Sequence, residues 1–397
     1  MEISDRYRWV ALFIFILAAS LSFLDRQVLA ALAPTLRAEF QLSNEEYGYV
    51  VSVFSITYAL AAPLAGWFID RVGLTIGTCV SVGVWSMVGA GTGLVGGFAS
   101  LLACRGMLGV AESGGMPANG KAVAMYLRPQ ERALGAGFGQ IGITIGVVAA
   151  PVLASGLAIR YGWRSAFVVA GLLGFLWIPL WLWVSRLIPA RESGRVKSGE
   201  GIGIMLGDRR LWGLVIANML CMTIYSLWMN WTTVFLVQTQ GLTQEQANLR
   251  FAWIPPLFAA LGGLLGGAMS IRFVGGGQNL PAARMKVVLV SGLCLLVTAA
   301  TPHLASTWLA TTVISWSVFW SVALSVNLYA LPLDYFGAGR AASSVAALTF
   351  AYGFMQTILS PAAGYLIDNY SFAPVCAGVS VLPLAGWVVL KWTGRPR

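Results

Sequence analysis

Apolar residues run along this chain in twelve stretches separated by charged, proline-rich or glycine-rich joints. A helix needs roughly 20 apolar residues to cross a bilayer, and each stretch is close to that length. The first six cover 8–34, 46–69, 74–96, 98–126, 133–159 and 165–187. The next six cover 211–238, 247–270, 286–302, 306–332, 341–367 and 373–392. Between the two sets, 188–210 carries Arg191, Glu192, Arg195, Lys197, Glu200, Asp208, Arg209 and Arg210 and has no apolar period. The pattern predicts an all-α membrane protein of two six-helix bundles, 1–187 and 211–397, joined by a cytoplasmic linker over 188–210.

Composition narrows the class. Of 397 residues, 58% are hydrophobic and 10% charged, with a mean hydropathy of +0.76, which excludes a soluble catalytic domain. The net charge of +10 needs no nucleic-acid partner. Most of the 25 basic residues fall in joints that lie on one side if the N-terminus is cytoplasmic, and positive-inside bias alone then produces the excess. Both termini are expected in the cytoplasm, in the cytoplasmic membrane. The N-terminal apolar run from Trp9 continues past Asp25 and Arg26 without a convincing cleavage site, so it reads as a first span rather than a signal peptide. One histidine, His303, and five scattered cysteines give no metal cluster, disulfide framework or nucleophile with its base, so neither an enzyme nor a metal or other cofactor is expected. A sensor would need an appended signalling domain, and the longest non-membrane stretch is 188–210.

A weak internal repeat points to duplication. Pro63, Gly66, Ile69 and Asp70 recur at identical spacing as Pro361, Gly364, Ile367 and Asp368, and loosely as Pro151, Gly156, Ile159 and Arg160. The copies lie in spans of opposite direction, as inverted-topology repeats of secondary transporters do.

The chemistry concentrates in the first and fourth spans. An ionisable side chain at the bilayer centre costs about 2.5–3.5 kcal/mol on insertion scales, so those retained usually face a cavity and work there. Asp25 and Arg26 lie within the first span, and Arg105 and Glu112, seven residues apart on one helical face, lie within the fourth, with Asn119 extending the stripe. One reading is an ion-pair network that pins the two spans together. The other starts from charge: two acids and two arginines sum to zero, so carboxylates compete for Arg26. Protonating Asp25 or Glu112 would free it, and a free guanidinium fork matches a carboxylate bidentately. Proton binding and anion binding would then favour each other, with at least one acid titrating during transport.

Polar groups at helical spacing are candidates for a sugar-like cargo: Tyr58; Gln140 and Thr144; Tyr225, Trp228, Thr232 and Asn230; Thr349, Tyr352 and Gln356. The same residue types also serve interhelical hydrogen bonding. Trp9, Trp163, Trp212, Trp387 and Trp392 near span ends read as interfacial anchors. In the joint after the second span, Asp70 is placed to cap the next helix and Arg71 to bridge to a neighbour, a candidate gate, while Lys121 fits gating or topology.

The run Gly66, Asp70, Arg71, Gly73 resembles the signature of the major facilitator superfamily, with Leu74 where a final basic residue is usual. More specifically, Phe23-Leu-Asp25-Arg26-Gln-Val-Leu29 and Arg105-Gly-Met-Leu-Gly-Val-Ala-Glu112-Ser-Gly-Gly-Met-Pro117-Ala-Asn-Gly-Lys121 resemble the anion:cation symporters, and among them the hexuronate transporters. The resemblance implies a twelve-helix fold of inverted three-helix repeats, in which Arg26 holds a substrate carboxylate, Asp25 and Glu112 carry coupling protons beside Arg105, and Tyr58 touches substrate. Gly115 stands where such transporters often have Asn, and Ile271 stands where the second-half signature would carry Asp. The expected function is proton-coupled symport of a small organic anion, a sugar acid in the first place, by a monomer in the lipid bilayer. Arg26 argues against the rival, an exporter of cationic or hydrophobic drugs.

Overall fold

In hydrocarbon each backbone N–H and C=O needs a partner within its own segment, so apolar stretches of this length become helices. A computed structural model describes residues 5–127, 132–188, 207–277, 279–336 and 338–394. The expected linker, 188–210, falls almost wholly outside these residues.

The described chain is helical throughout its spans. In order come α1 (Asp5–Ala31), α2 (Ala33–Phe40), α3 (Asn44–Val72), α4 (Leu74–Thr92), α5 (Phe98–Glu112), α6 (Gly115–Tyr126), α7 (Arg132–Tyr161) and α8 (Trp163–Leu187). Then follow α9 (Arg209–Cys221), α10 (Thr223–Gln238), α11 (Gln244–Ala247) with a π turn over Asn248–Ala252, α12 (Ile254–Gly275) and α13 (Leu280–Leu295), extended by a 3₁₀ stretch over Leu296–His303. The last are α14 (Thr307–Leu328), α15 (Leu331–Phe336), α16 (Ala338–Asn369) and α17 (Phe372–Thr393). Among the described residues, 11 helices are long and apolar enough to cross a membrane.

The stretch expected to form one span over 98–126 is instead two helices that meet at Ser113 and Gly114. Pro117 has no N–H to give the Ser113 carbonyl, and the Ser113 hydroxyl donates back to the Val110 carbonyl at 2.7 Å. Both effects interrupt the ladder at that point, two turns after Arg105 and directly after Glu112. A similar back-bond, from Thr223 Oγ1 to the Leu220 carbonyl at 2.9 Å, accompanies the break between α9 and α10.

The chain divides into two compact units. The first takes the described residues of Met1–Leu42, Tyr49–Val196 and Gln244–Trp253, and the second those of Ser43–Gly48, Lys197–Thr243 and Ile254–Arg397. In the first, α1 packs on α7 and α8, and α4 on α5 and α8. Small residues make these approaches close: a Cβ at Gly142 would lie 2.5 Å from Ile16 Cγ2, and one at Gly146 would run into the Ser20 carbonyl. Asn248, fully buried in the π turn, donates to the Ala31 carbonyl at 2.8 Å and to Ser155 Oγ at 2.9 Å, which seats that turn in the first unit. Trp163, expected at an interface, is buried against Phe40 and Phe167, because Gly162 turns the chain sharply inward with φ at 81°. Trp212 and Trp392 are exposed, as expected of anchors.

In the second unit α12 packs on α14, again over a Gly262/Gly266 pair. The repeated Asp positions both end as acceptors near the ends of their long helices. Asp70 accepts from the Lys121 ammonium, and Asp368 accepts from the Asn44 backbone N–H and side chain at 3.0 and 2.7 Å. Elsewhere in the second unit Arg284 Nε and Asp334 Oδ2 form a largely buried pair at 2.7 Å between α13 and α15. Removing one partner of such a pair strands the other charge, at a cost of about 3–5 kcal/mol. Asp334→Ala is therefore expected to lower the unfolding midpoint of the detergent-solubilised protein, and Asp334→Ala with Arg284→Met to recover most of it; an unchanged midpoint in the single variant would mean the pair carries no weight.

Candidate functional site

The four charges read in the first and fourth spans come together inside the first unit, Asp25, Arg105 and Glu112 buried and Arg26 half-buried. Arg26 on α1 donates from Nε to Glu112 Oε2 at 2.5 Å, and Ser22, one turn earlier, donates to the same oxygen at 2.8 Å. Glu112 is fully buried at the end of α5, and its other oxygen, Oε1, has no hydrogen-bond partner among the described residues. Asp25 is buried at the next position, with its carboxylate toward α4: a Cβ on Gly89 would lie 3.5 Å from Oδ2. Arg105 is buried one helical face along α5 and is, with Glu112 and Arg26, an electrostatic neighbour of Asp25.

Aromatic rings enclose the arginine. The Arg26 guanidinium carbon lies 4.8 Å from the Phe23 ring centroid, 4.9 Å from Phe54 and 4.6 Å from Tyr58. Faces of aromatic rings attract cations electrostatically, so this cage holds the charge without neutralising it. The cage depends on close packing of α5 against α3. A Cβ on Gly109 would lie 2.5 Å from the Phe54 carbonyl oxygen and would also meet Thr57 Oγ1, so only glycine lets the two backbones approach here.

Beside the cage lies a recess of about 30 Å³, lined among others by Ser22, Arg26, Tyr58, Thr78, Trp85 and Asn119. That is room for one or two waters or the oxygens of a carboxylate head group, and too little for a whole sugar. Arg26 is one of the residues that line it.

The other sequence candidates fall in different places. Asn119 joins the recess even though α6 is a separate helix from α5. Gln140 is exposed on α7 and is not among the residues lining the recess. In the second unit Asn230 donates to the Ser226 carbonyl within its own helix, Thr349 is exposed and donates to the Val345 carbonyl, and Tyr352 and Gln356 are half-buried on α16. There the structure brings Tyr329 and Asn218, which the sequence did not single out, beside Thr349, and buried Asn218 donates to the Leu348 carbonyl at 2.7 Å. Buried asparagines in apolar helices carry no signal that separates this use from helix packing.

At the joint after α3 one expectation is corrected. Asp70 does not cap α4, whose N-cap is Gly73 with no side-chain bond; φ at Gly73 is 90°, and the tight turn takes the chain past Asp70. Asp70 pairs instead with Lys121 Nζ at 2.8 Å, and Lys121 also donates to the Ile69 carbonyl. Arg71 lies over the Trp67 ring at 5.4 Å.

An all-helical membrane protein with buried charges in one unit defines a class, and sequence comparison defines the family. Residues 15–360 match the Major Facilitator Superfamily, and the chain belongs to it. The hexuronate transporter of Escherichia coli K12 is 27% identical, over 97% of this chain and 93% of its own length. The galacturonate transporter of Dickeya chrysanthemi is 28% identical over 73% of this chain and 89% of its own. Among solved structures, a bacterial homolog of the human lysosomal transporter Spinster superimposes with a TM-score of 0.77 at 20% identity, covering 98% of this chain and 95% of that one. These relatives are transporters and not enzymes.

Proposed function

We propose that this protein is a proton-coupled symporter that carries a small organic anion, a sugar acid such as a hexuronate, across the cytoplasmic membrane by alternating access. In this reading it has twelve spans in two six-helix bundles, 1–187 and 211–397, with a cytoplasmic linker and both termini in the cytoplasm. The observation that carries the reading is the Arg26–Glu112 pair in an aromatic cage next to a recess sized for a carboxylate. The names of the relatives, transporters of sugar acids, support the cargo class.

The chemistry follows from competition for one guanidinium. Glu112 Oε2 already accepts from Arg26 and Ser22, while Oε1 offers free lone pairs. A proton on Oε1 neutralises Glu112, weakens its hold on Arg26 and frees the fork for a substrate carboxylate. Loss of the proton restores the internal pair and expels the anion. Asp25, beside Arg105, is the second proton site. Tyr58 touches the substrate at the arginine, Gln140, Asn230, Thr349, Tyr352 and Gln356 take its hydroxyls along the path, and Asp70 with Arg71 gates the cytoplasmic end. No cofactor takes part beyond the coupling proton, and the monomer is the working unit.

The test is uptake of radiolabelled glucuronate into proteoliposomes with and without an inward proton gradient, with gluconate, lactate and phosphate as competitors. Accumulation that collapses on adding a protonophore is the expected result. If glucuronate neither enters nor competes, the sugar-acid cargo is wrong; if it enters without regard to the gradient, the coupling is wrong.

A further inference from the structure

The two arginines of this cluster share one ring. The Arg26 guanidinium carbon lies 4.9 Å from the Phe54 centroid, and the Arg105 guanidinium carbon lies 4.9 Å from the same centroid. Phe54 is 8% exposed and is stacked on Tyr58 one turn along α3, with centroids 5.9 Å apart and planes 27° from parallel. Gly109 sits on α5 between Arg105 and Glu112, and its missing side chain brings α5 onto the Phe54 backbone. The ring thus stands where α1, which carries the cation facing the recess, meets α5, which carries the cation beside Asp25.

We infer that Phe54 is a positioning residue that ties the two arginines together, so that a change of partner at one is felt at the other. Two guanidiniums in a low-dielectric interior repel each other, and an aromatic face is a neutral surface that attracts both. An aliphatic residue of similar bulk would fill the space and give neither attraction. When Arg26 turns from Glu112 to an entering anion, its hold on the ring changes, and Arg105 keeps or gains the shared face. Arg105 is an electrostatic neighbour of Asp25, so anion arrival reaches that acid by a second route, beside its direct interaction with Arg26 and Glu112. The charged and titratable groups around this ring are Asp25 and Arg26 on α1, Tyr58 on α3, and Arg105 and Glu112 on α5.

This inference rests on Arg26 being the anion site, and the experiment separates the two. Phe54 is replaced with mono-, tri- and pentafluorophenylalanine, which keep the ring's shape while withdrawing its negative face. The same series at Phe167, a buried ring against Trp163, controls for fluorine bulk. Three quantities are measured: the Tm of the purified protein, the KM and Vmax for glucuronate, and the dependence of KM on pH. The expected result is a stepwise fall in Tm at position 54 beyond that at 167, a KM that rises about tenfold across the series with Vmax nearly constant, and a flatter dependence of KM on pH. Phe54→Tyr, which keeps an electron-rich ring, should restore all three relative to Phe54→Leu. A pentafluoro variant with the native Tm, KM and pH profile would overturn the inference and leave Phe54 as packing. A fall in Tm and a rise in KM with an unchanged pH profile would also overturn it, since the ring would then hold each arginine without linking them. If the unsubstituted protein takes up no glucuronate, the cargo reading fails, and the link is read from a Tm cycle of Arg26→Lys and Arg105→Lys: a coupling that disappears with pentafluorophenylalanine at position 54 supports it, and an unchanged coupling overturns it.

Discussion

Arg26→Ala is expected to abolish sugar-acid binding and uptake. The substitution removes the only side chain facing the recess, among the described residues, whose fork matches a carboxylate. It also removes the donor to Glu112 Oε2, leaving a fully buried carboxylate with the Ser22 hydroxyl as its remaining donor on that oxygen. Truncating one member of a buried pair costs about 3–5 kcal/mol, so some loss of stability accompanies the loss of function. Two further variants separate these effects. Arg26→Lys keeps the charge but loses the fork and the flat face that lies over Phe23, Phe54 and Tyr58. Its affinity for glucuronate, read from ligand-induced thermal stabilisation, is expected to fall by roughly a hundredfold, about 2.7 kcal/mol, while the protein stays folded. Arg26→Ala with Glu112→Gln has no stranded charge and should regain stability without regaining binding, a non-additivity that marks the two residues as one unit. If Arg26→Lys binds glucuronate as the native protein does, a single positive charge is all the site uses, and the case for bidentate carboxylate recognition falls.

What was legible in the sequence follows the strength of the physical constraint. The bilayer forces apolar stretches into helices, and the helices predicted over 46–69, 74–96 and 165–187 therefore match α3, α4 and α8 within a few residues. The charges were legible for the same reason, because an ionisable group inside a span stands out against its surroundings. The break after Glu112 was written in Ser113 and Pro117 but was hidden by continuous hydropathy, which does not register a missing N–H. The partners of the charges were less legible. Phe54 and Phe23 look like any other aromatic residue in an apolar helix, and nothing in their spacing separates a ring facing lipid from one facing a guanidinium. Ser22 is equally ordinary until the fold sets it 2.8 Å from Glu112, and Lys121 meets Asp70 through a contact 51 residues away in sequence that no local pattern records. Where function rests on helix-to-helix contacts, the sequence names the costly residues and the fold names what they touch.

Glu112→Gln is expected to separate transport from its energy source. The amide keeps an oxygen that can accept from Ser22 and Arg26 but can neither carry the charge that holds the arginine nor exchange a proton. It therefore fixes the site near the state that the native protein reaches only when Glu112 is protonated. In the proposed mechanism an anion competes with the Glu112 carboxylate for Arg26, so its apparent affinity should rise as pH falls, by up to about tenfold per unit while one proton is taken up per anion bound. In Glu112→Gln that slope should flatten toward zero, with affinity at neutral pH equal to or better than native. Exchange of external for internal glucuronate, which needs no net proton movement, should survive at a measurable rate, and accumulation against a gradient should be lost. The companion variant Asp25→Asn distinguishes the two acids. Because Asp25 is an electrostatic neighbour of Glu112, Arg105 and Arg26 but is not itself part of the Arg26–Glu112 ion pair, its loss should reduce accumulation while leaving some pH dependence of binding. If instead Glu112→Gln still accumulates glucuronate under a proton gradient and Asp25→Asn does not, the transported proton travels on Asp25, and Glu112 serves as the fixed counter-charge that keeps Arg26 in place between cycles.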